Sequence, residues 1–263
     1  MDANKQLIAA LLPLAKEAGC KILDIYEKDF SIEHKTDNSP LTEADRASNE
    51  VIIAGLQQLT PNIPIISEES KLIPYATRQH WTRCWIVDPL DGTKEFIKRN
   101  GEFTVNIALI EHGQPILGVV YVPVSDTYYY AIAGQGSYKQ IQDQSPQRLK
   151  SACIDPRQIV RVVASRSHLS SETTAYIDTL QQQYAQVALV SAGSSLKFCL
   201  LAEGKAHIYP RFAPTMEWDT AAGHLVAAEA GAEISVYPTN EVLYYNRENL
   251  VNPHFLVICK SIT

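Results

Sequence analysis

One segment, residues 85–93 with the sequence WIVDPLDGT, constrains this chain more than any other. Its apolar start predicts a buried strand. The strand leads into two carboxylates, Asp88 and Asp91, separated by a proline that fixes its own φ and donates no backbone hydrogen bond. Gly92 permits the turn that follows. The segment therefore predicts a strand that delivers two carboxylates to one rigid corner.

The residues of this corner suit phosphate chemistry. Oxygen ligands on a stiff loop favour a hard cation such as Mg²⁺. Leu90 adds a backbone carbonyl between the two carboxylates, and Thr93 adds a hydroxyl. The amides around Gly92 and Thr93 can form a small anion-binding nest. The alternative is an Asp-Gly turn that closes a hairpin, but such a turn needs neither the proline nor the first aspartate.

A second acidic pair, Glu68 and Glu69, ends a strand predicted over residues 62–67. If this strand lies beside the one that ends in Asp88, the carboxylates of Glu68 and Asp88 converge at one edge of the sheet. Strand ends are where α/β folds tend to build their sites. The alternative is an ordinary solvated loop, where adjacent acids are common.

Two further carboxylates lie at predicted helix starts. Asp219, within EWDTAAG at residues 217–223, lies where an alanine-rich helix begins, and Asp45 lies in the first turn of an earlier helix. Either could be explained by helix capping or by the helix dipole, which favours acids there. As a metal ligand, Asp219 would also lie where the dipole favours a phosphate.

Glu68, Asp88, Asp91 and Asp219 together form a candidate metal-binding cluster. Without cations, such a cluster repels itself. Two divalent ions about 3.5–4 Å apart can activate a water and stabilise the leaving oxygen of an in-line phosphoryl transfer. The sequence contains no G-x-x-x-x-G-K-[ST] motif, so it favours hydrolysis by an activated water over NTP-driven transfer.

Patterning along the whole chain predicts a mixed α/β (α+β) fold in two parts. Two predicted helices are followed by a strand-rich stretch over residues 103–141, which indicates an antiparallel meander. The polar segment 143–156 is the candidate boundary, because strands and helices alternate after it. We expect an N-terminal α+β part over 1–150 that carries most ligands. A C-terminal α/β part over 151–263 would carry Asp219 and the specificity pocket.

Composition and charge disfavour several classes of protein. The 263 residues carry a net charge of −6, which argues against a broad nucleic-acid footprint. The five cysteines are odd in number and lack C-x-x-C spacing, which argues against a disulfide framework or a zinc site. No apolar run approaches the ~18 residues of a membrane span. We expect a cytoplasmic monomer or homodimer, with loose association at the inner face of the cell membrane left open.

The acidic motifs resemble those of the inositol monophosphatase superfamily, which comprises Mg²⁺-dependent, lithium-sensitive phosphatases. SEES at 67–70, DPLDGT at 88–93 and WDTAAG at 218–223 occur in the order and approximate spacing of that superfamily. This resemblance spans nearly the whole chain and implies a layered αβαβα sugar-phosphatase-like sandwich.

Further motifs narrow the resemblance to bacterial 3′(2′),5′-bisphosphate nucleotidases of the CysQ type. They are DGTKEF at 91–96, NGEFTVN at 100–106, AGSSLK at 192–197 and YPR at 209–211. Inositol monophosphatases typically have TNF where this chain has KEF at 94–96. The resemblance implies hydrolysis of 3′-phosphoadenosine 5′-phosphate to AMP and phosphate, which clears a by-product of sulfate assimilation.

The same resemblance implies a role for each acidic residue. One Mg²⁺ would be held by Glu68, Asp88 and the Leu90 carbonyl. A second would be held by Asp88, Asp91 and Asp219, and a third, weaker Mg²⁺ near Glu68 and Glu69 stays open.

The resemblance also implies how water and phosphate are held. Glu68 with Thr93 would orient and deprotonate the attacking water, and Asp45 with Thr42 would assist. The backbone from Leu90 through Gly92 to Thr93 would grip the scissile phosphate beside Asp91 and Asp219.

Specificity for a nucleotide should come from the second part of the chain. The polar candidates are Ser194, Ser195, Lys197, Arg211 and His168, and Tyr209 could support the base. Arg can bind a phosphate through two parallel donors, whereas Lys acts as a point charge. The alternatives are a solvated helix face for Lys197 and an ordinary loop residue for His168.

Three other functions compete with this interpretation. The same chemistry could act on inositol monophosphate or a sugar bisphosphate, which substrate competition would reveal. A metal- or nucleotide-binding regulator without turnover is a second alternative, which measurable turnover would exclude. A purely structural role fits least, because clustered acids at strand and helix ends cost stability without a cation.

Overall fold

The structure, a computed structural model, describes residues 3–28, 40–164 and 170–261. The elements of the first 150 residues are α1 (Ala3–Tyr26), α2 (Pro40–Leu59), β1 (Ile65–Ser67), α3 (Tyr75–Arg78), β2 (Arg83–Asp91), α4 (Thr93–Ile97), β3 (Thr104–Glu111), β4 (Gln114–Val122), β5 (Thr127–Ile132), β6 (Gly136–Ile141) and β7 (Gln147–Arg148). The later elements are β8 (Ile159–Ala164), α5 (Ser171–Gln183), β9 (Gln186–Ser191), α6 (Leu196–Ala202), β10 (Ile208–Arg211), α7 (Ala221–Glu229), β11 (Ala232–Val236) and β12 (Phe255–Cys259).

Strands β1 to β7 form a seven-stranded sheet in sequence order. β1 runs parallel to β2, and every later neighbour pairs antiparallel. The antiparallel meander predicted from the sequence is confirmed. Thr104 to Ile110 of β3 are all buried, because helices cover both faces of this sheet.

Alternation along the central strands divides the core into two layers. Trp85 and Val87 of β2 pack with the apolar faces of α1 and α2. Ile86 lies in the other layer, with Phe198 of α6 and Ala222 of α7. The first sheet thus lies between α1 and α2 on one face and α7, with α6 beside it, on the other.

Strands β8 to β12 form a second mixed sheet in the order β11-β12-β10-β8-β9. α7 contacts both sheets, α6 contacts α7 and β10, and α5 contacts β9 and β10. The layers therefore follow the order αβαβα, as the resemblance implies.

The two sheets share one apolar core across the middle helices. The first sheet ends at Arg148 and the second begins at Ile159. The division into parts 1–150 and 151–263 remains a proposal, since α7 from the later half covers the earlier sheet and α6 shares its apolar core. Within the described ranges, no helix combines the length and apolar character needed to cross a bilayer.

Candidate active site

Two neighbouring strands bring the first pair of acids together. β1 and β2 are parallel, with Ser67 opposite Val87. The Glu68 N–H donates to the Val87 carbonyl at 3.3 Å, so Glu68 and Asp88 leave the two strands side by side. The prediction that these strands are neighbours is confirmed.

A bulge in β2 places Asp88 and Asp91 on the same face of the sheet. Asp88 lies opposite Asn106 and Asp91 lies opposite Thr104, so three steps on β2 match two on β3. Strict alternation would put side chains three positions apart on opposite faces. The extra residue cancels that alternation, and both carboxylates face the layer of α6 and α7.

The strand continues through Asp91, whereas the sequence suggested that it ends at Val87. Pro89 is tolerated because β1 stops opposite Val87, which leaves β2 without a neighbour on that side. The Pro89 carbonyl accepts a hydrogen bond of 2.8 Å from the buried Ser48 hydroxyl. This bond ties the corner to α2.

Asp219 reaches the same place from the later half of the chain. Carboxylate oxygens of Glu68, Asp88 and Asp219 lie within 4.8 Å of one another. The alternative interpretation of Asp219 as a helix cap is wrong, because α7 begins at Ala221 and the cap residue is Thr220. Asp219 instead accepts a hydrogen bond of 2.9 Å from the Met216 N–H. We call Glu68, Asp88, Asp91 and Asp219 the acidic cluster.

Three members of the acidic cluster, Glu68, Asp88 and Asp219, resist ionisation. Burial raises the pKa of Asp88 well above its usual range, and the charges of Asp91 and Glu68 raise it further. Burial, reinforced by Asp91, raises the pKa of Asp219 to about 7. The pKa of Glu68 is also raised, by burial and then by Glu69. Repulsion from neighbouring carboxylates thus adds to the effect of burial on these three pKa values.

Asp45 adds a fifth carboxylate at the margin of the acidic cluster. Burial, followed by the charges of Glu69 and Glu68, raises the pKa of Asp45 to about 8. Its Oδ1 atom is buried without a hydrogen-bond partner. An orphaned carboxylate oxygen and four clustered acids form an all-oxygen donor set that a divalent cation would neutralise. The residues therefore fit a hard metal ion.

The residues after Asp88 are fixed by the backbone. The Leu90 N–H donates to Asp88 Oδ1 at 3.1 Å, and the Leu90 side chain is buried. Gly92 has a φ of 105°, a left-handed value that side chains disfavour. Thr93 follows at the start of α4 and is exposed. This order leaves the backbone from Leu90 to Thr93 beside the acidic cluster.

A cavity of about 370 Å³ opens onto this centre. Its lining includes Asp91 and Gly92, residues of α4 and the following loop, and residues from the later half of the chain. The charged residues in the lining are Asp91, Lys94, Glu95, Lys98, Glu102, Lys197, Arg211 and Asp219. The volume falls within the ~300–1,000 Å³ range of small-ligand sites.

Lys197 and Arg211 both line the cavity. Lys197 is only 9% exposed, so the interpretation as a solvated helix face is wrong. Its Nζ donates to the Ser194 carbonyl at 2.8 Å and lies 5.9 Å from the Tyr209 ring centroid. Arg211 donates through Nη2 to the Pro214 carbonyl at 3.2 Å, and its Nε is buried without a partner. The positively charged side chains of Lys197 and Arg211 thus place hydrogen-bond donors at the wall of the cavity.

The two serines differ in their surroundings. Ser194 lines the cavity and donates its hydroxyl to the Glu102 carbonyl at 2.8 Å. Ser195 is buried behind it, donates to the Asp219 carbonyl at 2.8 Å and accepts from Asn106 at 3.0 Å. His168 lies outside the described residues.

Two residues with contacts at this centre were missed as candidates from sequence. Glu102 accepts a hydrogen bond of 2.8 Å from the Gly193 N–H, which joins the loop after α4 to the wall of the cavity. Asn106 donates to Asp91 at 3.1 Å from the middle of β3. An amide within an otherwise apolar strand is the signal that could have identified Asn106.

Comparison with known proteins identifies the family of this chain. The profile described as the inositol monophosphatase family matches residues 3–261. The 3′(2′),5′-bisphosphate nucleotidase CysQ of Escherichia coli K12 is 50% identical over 246 residues, which cover 93% of this chain and 96% of that protein. The CysQ nucleotidase of Salmonella typhimurium is 49% identical over 253 residues, which cover 95% of this chain and 99% of that protein.

Solved structures show the same likeness. CysQ from Bacteroides thetaiotaomicron, described as a bacterial member of the inositol monophosphatase family, has a TM-score of 0.89 and 49% identity over 98% of both chains. Inositol monophosphatase II from Staphylococcus aureus has a TM-score of 0.80 at 22% identity, covering 98% of this chain and 90% of that one. The second likeness shows the fold alone.

Proposed function

The chain belongs to the inositol monophosphatase family, and from that premise we propose that it is a Mg²⁺-dependent 3′(2′),5′-bisphosphate nucleotidase. The reaction is 3′-phosphoadenosine 5′-phosphate plus water to AMP plus phosphate. One observation carries the proposal: the cavity that meets the acidic cluster at Asp91 and Asp219 also exposes Lys197 and Arg211. A single site thus offers a phosphatase centre and cations for a second phosphate.

The acidic cluster would hold the metal ions. Glu68, Asp88 and the Leu90 carbonyl are the proposed ligands of one Mg²⁺. Asp88, Asp91 and Asp219 are those of a second, and a third near Glu68 stays open. When bound, Mg²⁺ lowers the pKa of water and stabilises charge on a leaving oxygen.

The chain's own groups would orient the reactants. Glu68 with Thr93 would orient the attacking water, and the Glu68 carboxylate would accept its proton. Asp45, whose Oδ1 lacks a partner, is a second acceptor beside Glu68. The backbone amides from Leu90 to Thr93 would hold the scissile 3′-phosphate. Alignment of water and phosphate then favours in-line displacement.

The far side of the cavity would recognise the rest of the nucleotide. Arg211 can offer a phosphate two donors, and Lys197 adds a positive charge. Tyr209 also lines the cavity, where its ring can support the base. Ser194 contributes a polar edge. These contacts would require both the 5′-phosphate and the adenosine of the substrate.

The proposal includes a cytoplasmic enzyme, monomeric or homodimeric, that disposes of a by-product of sulfate assimilation. All five cysteines are unpaired, and three of them are buried. Free thiols of this kind are typical of a reducing compartment.

Product analysis tests the proposed reaction. We expect 3′-phosphoadenosine 5′-phosphate to give AMP and phosphate in equal amounts when Mg²⁺ is present. Chelator, Li⁺ or Ca²⁺ should suppress release, because the centre needs a hard cation of the right size and charge. Release of the 5′-phosphate instead, or full activity in excess chelator, would contradict the proposal.

A further inference from the structure

Asn106 is a buried amide in the middle of β3. It is 1% exposed, and its neighbours Val105 and Ile107 are fully buried. Burial of an amide is costly unless its polar atoms are hydrogen-bonded. The partners of this side chain therefore explain why the strand tolerates it.

Every polar group of the Asn106 side chain has a defined partner. Nδ2 donates to Asp91 Oδ2 at 3.1 Å and to Ser195 Oγ at 3.0 Å. Oδ1 accepts from the Thr104 hydroxyl at 3.0 Å. The opposite amide orientation would turn a carbonyl oxygen toward the Asp91 carboxylate, so the network fixes the assignment.

The network continues into the later half of the chain. Ser195, just before α6, donates its hydroxyl to the Asp219 carbonyl at 2.8 Å. One path of three hydrogen bonds thus joins the Asp91 carboxylate, Asn106, Ser195 and the backbone of Asp219. The path crosses from the first sheet to the segment before α7.

We propose that Asn106, acting through Ser195, is a positioning residue that sets the placement of Asp91 relative to Asp219. The inference rests on the proposed function, in which these two acids share a Mg²⁺. Their carboxylates repel each other when the metal is absent, so an unsupported pair would move apart. The amide holds one acid and, through the serine, the backbone of the other. Groups that orient ligands in this way typically govern metal affinity.

Two variants test this role. Asn106→Leu keeps the branched shape of the side chain but removes both N–H donors. Ser195→Ala removes only the bridging oxygen, which makes it the milder change for folding. Val105→Ala is the matched control, because Val105 is equally buried but faces the layer of α1 and α2.

Calorimetric titration of chelator-treated protein with Mg²⁺ is the primary readout. We expect Mg²⁺ affinity to fall about tenfold or more in Asn106→Leu and Ser195→Ala. The Mg²⁺ concentration for half-maximal rate should rise in parallel, while KM for the nucleotide at saturating Mg²⁺ stays unchanged in Asn106→Leu. Val105→Ala should lower the melting temperature and leave Mg²⁺ affinity as in the wild type.

The outcomes separate this inference from the function on which it rests. Wild-type Mg²⁺ affinity in both variants would overturn the positioning role and leave the nucleotidase proposal intact. Mg²⁺ binding by the wild type without nucleotide hydrolysis would overturn the function, while the calorimetric comparison would still decide the positioning role. A wild-type protein that binds no Mg²⁺ would overturn both.

Discussion

The Asp91 carboxylate lies at the cavity wall, and it accepts a hydrogen bond from Asn106. Asp91→Asn keeps the shape of the side chain but removes its charge. We expect turnover to fall more than ~100-fold, since even residues that only orient a ligand cost 10–100-fold.

The fold of Asp91→Asn should persist. Its melting temperature in chelator should equal or exceed that of the wild type, because one repelling charge is gone. Phosphate release measures the expected loss of turnover, and thermal melting measures whether the fold persists. An Asp91→Asn protein with normal activity would defeat the two-metal proposal.

Lys197 offers a test of how the remote phosphate is recognised. Lys197→Met keeps the length of a side chain that is only 9% exposed, but removes its charge. We expect KM for 3′-phosphoadenosine 5′-phosphate to rise about tenfold, through loss of a charged contact. KM for adenosine 3′-phosphate, which lacks the 5′-phosphate, should stay nearly constant. Equal effects on both substrates would show that Lys197 does not read the 5′-phosphate.

The sequence predicted the positions of some site residues but not of others. Glu68, Asp88 and Asp219 were expected to converge, and the structure brings them together. Asp91 was also expected at this corner, but the bulge that brings it to their face of the sheet depends on pairing with β3 and was not predicted. The buried setting of Ser195 was equally hidden, since its partners come from distant parts of the chain.

Packing between β4 and α7 positions the segment that carries Asp219. A Cβ added at Gly118 of β4 would lie 2.8 Å from the Ala222 carbonyl oxygen of α7, so the helix would have to shift. We expect Gly118→Ala to lower the free energy of unfolding by about 1–3 kcal/mol, the usual cost of overpacking. Mg²⁺ affinity should fall as well, because Asp219 lies just before α7.

Urea unfolding and Mg²⁺ titration check this prediction against Gly134→Ala. Gly134 has a φ of 73° with no atom within 4 Å of an added Cβ, so that change adds backbone strain alone. The control should lose about 1–2 kcal/mol and keep its Mg²⁺ affinity. Unchanged stability in Gly118→Ala would show that α7 can shift away from β4 without a measurable cost, which would contradict the prediction.

Regular elements were predicted better than their ends. Alternating and continuous apolar patterns gave the meander and the later strands, because burial sets those patterns. The predicted strand through Val87 extends to Asp91, and the predicted helix near Trp218 begins at Ala221. Both differences arise where tertiary contacts of the acidic cluster override local preference.

For the molecule as a whole, the acidic cluster makes stability depend on pH and metal together. Burial raises the pKa of Asp219 to about 7 and of Asp45 to about 8, above the ~3.9 of an unfolded aspartate. Each group therefore stabilises the metal-free fold at low pH, and this contribution is lost as pH rises through the folded pKa.

We expect the melting temperature of chelator-treated protein to fall between about pH 4 and 8, the interval between the unfolded and the folded pKa values of these two groups. Mg²⁺ should restore most of the loss at the upper end, because a ligand that binds only the folded state stabilises it. Thermal melting at several pH values, with and without Mg²⁺, measures both effects. A melting temperature at pH 9 that is the same with and without Mg²⁺ would contradict a metal-binding acidic cluster.

The global architecture could be anticipated as a layered αβαβα sandwich only through the motif resemblance. Composition and periodicity predicted two kinds of sheet, but not that α7 would cover the first sheet and that α6 would share its core. That arrangement depends on contacts between residues far apart in sequence. It is also what lets Asp219 complete a centre built by β1 and β2.

The most direct test of the central claim is phosphate release from 3′-phosphoadenosine 5′-phosphate, AMP and inositol 1-phosphate, measured side by side with Mg²⁺ and again with chelator. We expect fast, chelator-sensitive release from the first substrate alone, since only that molecule combines a 3′-phosphate with the remote 5′-phosphate and base. Preference for inositol 1-phosphate would keep the metal centre but contradict the nucleotide specificity assigned to Lys197 and Arg211.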